Sequence, residues 1–259
     1  MRAGLRSKIK GWKFDSMLLF TRPLPKLKAS ASAFEKAGID AVGVATSNII
    51  DISSERKAAA EFLASNAVNA IVVTSVYAVD TVIEGLRETA NELPLIIAVG
   101  DATARKLQAG LQAFSSAQVA IPEAHTSEGI LAMHQLNEAN CQHVVIIKGE
   151  GGRDAIATGL DEKGILVNSF CVYKREQLTS PIYTKRWKMG EVSGIIATSE
   201  AMALQLIAQF GQALKSIKWL TVSDRIAKTL TSQGIKEVAV CQRATDQALI
   251  AWVKDNWEY

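Results

Sequence analysis

The chain repeats itself. Ile71-Val72-Val73-Thr74-Ser75-Val76-Tyr77-Ala78-Val79 returns as Ile195-Ile196-Ala197-Thr198-Ser199-Glu200-Ala201-Met202-Ala203. Val99 to Leu107 returns as Val222 to Leu230, and Pro122 to Leu131 has a counterpart in Gln242 to Ile250. Thr74 and Thr198 stand 124 residues apart, Asp101 and Asp224 stand 123 apart, and Thr126 and Thr245 stand 119 apart. Solenoid periods run only about 20–50 residues, so three echoes in one order at nearly one offset mean two similar domains. A chain of 259 residues has room for about two. Two such domains enclose a cleft, a common place for a ligand.

Short apolar runs alternate with helix-period stretches throughout. The runs are Met17–Thr21, Ala41–Thr46, Ala70–Thr74, Leu95–Val99, Ala117–Ile121, Val144–Lys148, Leu166–Val172, Gly194–Thr198, Trp219–Val222 and Val238–Cys241. They are continuous rather than alternating, as in strands covered on both faces. The intervening stretches include Lys26–Ala37, Glu55–Ala64, Val76–Thr89, Ala102–Ala109, Glu128–Asn137, Arg153–Lys163, Ala201–Gln209, Arg225–Ser232 and Gln247–Asp255. Gly38, Gly110, Gly164 and Gly234 follow helices where a left-handed C-cap is expected. Each half reads as a five-stranded, doubly wound α/β domain with a parallel sheet. Gly43–Asp51 and Asn168–Pro181 lack helical periodicity and are the expected hinge, a two-strand crossing between the domains.

The net charge of +3 is misleading, because Arg2, Arg6, Lys8, Lys10 and Lys13 precede the first acid, Asp15. The remaining 24 basic and 26 acidic residues leave the body at −2, without the basic excess of a nucleic-acid binder. Residues 1–15 are expected to form a disordered basic extension. No run approaches the roughly 18 apolar residues of a membrane span. Cys141, Cys171 and Cys241 are odd in number and widely spaced, which argues for a reducing, cytoplasmic setting rather than a disulfide framework. They share no metal-ligand spacing with His125, His134 and His143, so no metal is expected.

In sheets of this kind ligands gather at the carboxyl ends of the strands. Thr21, Thr74-Ser75, Thr198-Ser199 and Ser223 all fall there, each just before a helix. They read equally as N-caps and as part of a site for a carboxylate- or phosphate-rich ligand at helix N-termini. Gly149-Glu150-Gly151-Gly152-Arg153 joins a strand to a helix. It is neither a Walker A loop nor a full dinucleotide fingerprint. It reads as a tight turn or as a loop that brings backbone N–H groups close to an anion. No nucleophile–base–acid set stands out.

These motifs, taken in order, resemble the uroporphyrinogen-III synthase family. The resemblance runs from about Leu18 to Val253. Its marks are Thr21-Arg22-Pro23, Thr74-Ser75 with Ala78-Val79, Ala98 to Ala104, Ser127-Glu128, the Gly149 to Arg153 loop, Tyr173-Lys174-Arg175, Thr198-Ser199 and Val222 to Ala227. It implies a cofactor-free lyase that closes hydroxymethylbilane, a linear tetrapyrrole with eight carboxylates, into uroporphyrinogen III. Water is lost and the terminal pyrrole ring is inverted. It also implies two flavodoxin-like domains with the ligand cleft between them and an exchange of halves. One domain is then 16–48 plus 174–259 and the other 49–173. A monomer is implied, with no nucleic acid or membrane partner.

The resemblance marks Tyr173 as general acid, although an aromatic strand residue at a domain junction is the plainer reading. Arg22, Thr74, Ser75, Thr103, Ser127, Gly149, Gly151, Arg153, Thr198, Ser199 and Arg225 are the residues expected at the substrate. Ile226 stands where some relatives carry threonine, and the proline common after the family's second strand is absent near Val44–Ser47. A non-catalytic two-domain binder of an anionic metabolite shares the same features without needing Tyr173.

Overall fold

The computed structural model describes residues 17–257 except 91, 115–116, 138, 140, 152 and 153. The basic extension expected over 1–15 lies outside the described residues. The chain divides into two compact units, residues 1–48 with 177–259 and residues 49–176.

In the unit 49–176, β3 (Ala70–Val73), β4 (Leu95–Ala98), β5 (Val119–Ala120), β6 (His143–Gly149) and the first part of β7 (Leu166–Tyr183) form a parallel sheet ordered β7-β6-β3-β4-β5. Its helices are α2 (Ser53–Ser65), α3 (Val79–Arg87), α4 (Asp101–Gly110), α5 (Ser127–Leu131) and α6 (Ala155–Asp161). The continuous apolar strands have a direct cause. Ile71 and Val73 pack with Ala59, Leu63, Val82 and Leu107 from α2, α3 and α4. Ala70 and Val72, one residue out of phase, pack with Ile130, Ile156 and Leu160 from α5 and α6. Both faces are covered, and each such buried Val, Leu or Ile side chain stabilises the unit by roughly 1.5–3 kcal/mol.

The other unit repeats this plan. β1 (Met17–Thr21), β2 (Ala41–Asp51), β8 (Val192–Ala197), β9 (Lys218–Thr221) and β10 (Val238–Val240) run parallel in the order β2-β1-β8-β9-β10. Helices α7 (Glu200–Phe210) and α8 (Asp224–Ser232) cover one face, while α1 (Leu24–Lys36) and α9 (Asp246–Asn256) cover the other. The repeated segments take matching places: β8 stands where β3 does, β9 where β4 does and β10 where β5 does. The places of β6 and β7 are filled by β1 and β2, from the start of the chain. Residues 48 and 49 lie within β2, and 176 and 177 within β7, so the chain passes between units twice, each time along a strand.

Three details depart from the sequence reading. Gly110 is the last residue of α4 rather than a left-handed cap, whereas Gly38, Gly164 and Gly234 do have positive φ. The helix expected over Glu128–Asn137 ends at Leu131. There the Lys163 ammonium reaches the carbonyl oxygen of Leu131, an acceptor that further helix would otherwise have used, and also that of Leu136. Helix α3 begins at Val79 rather than Val76, after a turn in which Ala78 N–H donates to Ser75 O at 3.0 Å.

The three cysteines are free, Cys141 and Cys241 buried and Cys171 partly exposed. Burial pushes the Cys141 thiol up from its ordinary value, against a smaller lowering by a backbone hydrogen bond from His143. Because the thiolate is the reactive form, iodoacetamide at pH 8 is expected to modify Cys171 first and Cys141 only on unfolding. Peptide mapping that found Cys141 alkylated first would contradict this.

Candidate active site

In doubly wound sheets the ligand crevice lies where strand order reverses. In the unit 49–176 that point is between β3 and β6. A recess of ≈ 510 Å³ opens there, lined by Thr74, Val99, Ser127, Lys148, Gly149, Glu150, Gly151, Ile156, Tyr173 and Arg175. Thr74 follows β3, Val99 follows β4, Ser127 opens α5, Gly149 ends β6 and Tyr173 comes from β7. The carboxyl ends of several strands thus converge, and with them five of the expected residues: Thr74, Ser127, Gly149, Gly151 and Tyr173.

Each is held by local chemistry. Thr74 N–H donates to Ile147 O at 3.2 Å, its hydroxyl reaching the same oxygen at 3.4 Å. The Thr126 hydroxyl accepts from Gly129 N–H at 3.1 Å, capping α5 and presenting Ser127 in its first turn. Gly151 has a φ of 71°, the left-handed region that favours glycine. Glu150 N–H donates to Tyr173 O at 2.8 Å, tying the loop to β7. The half-buried Tyr173 ring packs on Tyr77, their centroids 5.5 Å apart at 59°.

Two cations in the recess escaped the sequence reading. Lys148 has only 11% of its side chain exposed and pairs with the open carboxylate of Asp154. Arg175 is exposed on β7. The Tyr173-Lys174-Arg175 motif contained Arg175, but strand alternation was the only signal that it shares a face with Tyr173. Nothing local in the sequence distinguished Lys148.

Ser75 and Thr103 do not line this recess. Ser75 accepts from Tyr77 N–H at 3.4 Å, and Thr103 is buried on α4. Arg153 lies outside the described residues. Arg22, Thr198, Ser199 and Arg225 belong to the other unit. There Thr198 N–H donates to Thr21 Oγ1 at 3.2 Å, and the Thr198 hydroxyl donates to Thr21 O at 3.0 Å. Ser199 caps α7 by accepting from Met202 N–H at 3.2 Å. Arg225 is exposed and paired with Glu200. Arg22 is buried and paired with Asp246 at 2.6 Å. Lys26 beside it is held below the ordinary lysine range, first by burial and then by the Arg22 charge, with Asp246 pulling the other way.

The units also differ in how their helices begin. Ser199 and Ser223 close the N-termini of α7 and α8 with a hydroxyl, whereas Thr245 on α9 and its counterpart Thr126 on α5 cap alike. In the unit 49–176 the first turn of α4 follows Gly100 and that of α3 follows Ala78, neither of which supplies a side-chain cap. Among the described residues no group of three His, Cys, Asp or Glu is placed to hold a metal ion. No described helix is long and apolar enough to cross a membrane.

A family model described as uroporphyrinogen-III synthase HemD matches residues 28–251. The uroporphyrinogen-III synthase of Escherichia coli (strain K12) is 28% identical over 167 residues, 61% of this chain and 66% of that protein. The enzyme of the same name from Proteus mirabilis is 27% identical over 113 residues, 42% of this chain and 55% of its own length. The alignments thus span somewhat under two thirds of these relatives. A mutant uroporphyrinogen III synthase of the extreme thermophile Thermus thermophilus matches in structure with a TM-score of 0.57 and 16% identity, over 92% of this chain and 98% of that one. The Helicobacter pylori 26695 uroporphyrinogen-III synthetase matches with a TM-score of 0.54 and 14% identity, over 93% and 99%. At those identities the likeness speaks for the fold alone.

Proposed function

The chain belongs to the uroporphyrinogen-III synthase family, and from that premise we propose that it closes hydroxymethylbilane into uroporphyrinogen III. The observation that carries this reading is the Tyr173 phenol standing in a recess with two hydroxyl residues and two cations.

The chemistry asks little of a catalyst beyond a proton and a fixed geometry. Tyr173 gives its proton to the terminal hydroxyl of the substrate. The C–O bond breaks, water leaves, and an azafulvene cation remains. The substituted α-carbon of the last pyrrole ring attacks that cation and forms a spiro intermediate. One bond of the spiro centre breaks, and the ring recloses in inverted orientation. Loss of a proton from the newly bonded ring carbon restores the pyrrole, and the phenolate is the base that takes it back. The balance is one water lost, with nothing oxidised or reduced.

Lys148 and Arg175 pair with substrate carboxylates, Arg175 in the bidentate manner open to a guanidinium. Thr74 and Ser127 add hydroxyl donors, and Gly151 brings its backbone close. Glu150, which is exposed, adds one carboxylate to the lining of the recess. Spontaneous closure gives the type I isomer, so holding the chain folded matters more than lowering the barrier. The enzyme acts as a monomer in the cytoplasm, a placement supported by three free thiols.

The test is a coupled assay in which freshly generated hydroxymethylbilane is supplied and the oxidised uroporphyrins are separated. Predominant type III product is expected. Type I alone, at the uncatalysed rate, would sink the proposal and leave a non-catalytic binder of an anionic molecule.

A further inference from the structure

We propose that Gly149 is a positioning residue for the Tyr173 phenol, present because the tyrosine ring occupies the space of its side chain. The inference rests on the reading of Tyr173 as proton donor. A β-carbon added to Gly149 would stand 2.5 Å from both Cε2 and Cζ of Tyr173 and 2.8 Å from its hydroxyl oxygen. Carbon atoms in contact rest about 3.5–4.0 Å apart, so a methyl group there cannot coexist with the ring as it lies.

The register of the sheet produces this overlap. Lys148 is opposite Cys171, but a bulge between Lys148 and Gly149 brings Gly149 opposite Tyr173. The Glu150 N–H to Tyr173 O bond then holds the two backbones together. The ring lies over the glycine and against Tyr77, and the residue lines the recess.

The loop's glycines therefore have separate reasons. Gly151 is needed for its left-handed φ and has open space around it. Gly149 has no positive φ, so its backbone accepts alanine without strain. The atoms a methyl would meet are the far end of a side chain beside an open recess. The ring can swing away, and the fold need not yield. The substitution thus separates the position of the phenol from the stability of the protein.

The experiment compares Gly149→Ala, Tyr173→Phe and the double variant in the hydroxymethylbilane assay, with thermal unfolding of each. Misplacing a reacting group by about 1 Å costs on the order of 10²-fold, so Gly149→Ala is expected to lower kcat by roughly 10–100-fold. KM should stay within about threefold, because the carboxylate contacts are intact. Tm should fall by no more than a few degrees, since restriction of the unfolded chain by Gly→Ala offsets part of the packing lost when the ring moves off Tyr77. In the Tyr173→Phe background the methyl should add less than about twofold, because the hydroxyl it displaces is already gone. Tyr77→Leu, which removes the neighbouring ring, should lower kcat in the same sense.

Several results would overturn the inference. One is Gly149→Ala at the unaltered rate beside a slow Tyr173→Phe, which would leave the proton-donor reading standing. Another is a large fall in Tm, showing that the backbone rather than the ring gives way. Fully multiplicative losses in the double variant would also count against it. If Tyr173→Phe itself reacts at the unaltered rate, the proton-donor reading fails first and takes this inference with it.

Discussion

Tyr173→Phe is expected to slow type III formation by about 10²–10⁴-fold, the span over which a positioned general acid acts. The phenylalanine keeps the ring that packs on Gly149 and Tyr77 and among the partly buried neighbours of the α2–α3–α4 core. Only the hydroxyl is removed. Stability should therefore move by less than about 0.5 kcal/mol, and any change in rate reports on chemistry. The product ratio adds a second readout. If the recess still folds the substrate, the residual enzymatic product remains type III while the slow spontaneous route adds type I. Urea unfolding alongside the product assay checks both. A rate within twofold of the unaltered protein would remove Tyr173 from the chemistry and turn attention to Lys148, the other half-hidden proton carrier in the recess.

Arg22→Ala is expected to cost about 3 kcal/mol of stability, at the lower edge of the range for breaking a buried ion pair. The Arg22 side chain is 7% exposed and that of Asp246 30% exposed. Its Nη2 donates to Asp246 Oδ1 at 2.6 Å and to Ala244 O at 2.9 Å, and its Nε lies 3.2 Å from both Ser30 Oγ and Asp246 Oδ1. Ser30 Oγ in turn lies 2.9 Å from each oxygen of that carboxylate. The cluster ties the end of β1 and the middle of α1 to the first turn of α9, across 224 residues of sequence. Alanine leaves a carboxylate in a partly buried place without its cation. For a chain of this length the cost corresponds to a fall in Tm of roughly 6–12 °C. A second change, Asp246→Ala, should restore part of it by removing the stranded charge. If Arg22→Ala instead keeps its Tm and raises KM, the guanidinium serves the substrate.

The two predictions mark how unevenly the sequence could be read. Arg22 and Arg225 looked alike there, as arginines just after a strand end. What separates Arg22 is a partner 224 residues away, and no local pattern carries that information. Lys148 sat in view at the end of an apolar strand, but its place in the recess depends on how β6 and β7 stack. In the sequence Gly149 reads either as part of a tight strand-to-helix turn or as a loop glycine open to an anion. The bulge that puts it under Tyr173 is a property of paired strands.

By itself the sequence determined the class of the fold and its internal duplication. Continuous apolar runs between amphipathic stretches require strands covered on both faces, as Ile71 and Val72 are by opposite helix layers. Recurrence of the same segments in the same order at nearly one offset requires two domains of one plan. Hydroxyl residues at the strand ends were legible as well, and Ser199 and Ser223 take the capping role that helix N-termini select through short-range hydrogen bonds. Only the tertiary structure decided which sheet β1 and β2 complete, which hydroxyls are consumed as caps, and which residues share the recess. Those outcomes depend on strand register and on contacts between distant segments, and their energies do not appear in any local period of the chain.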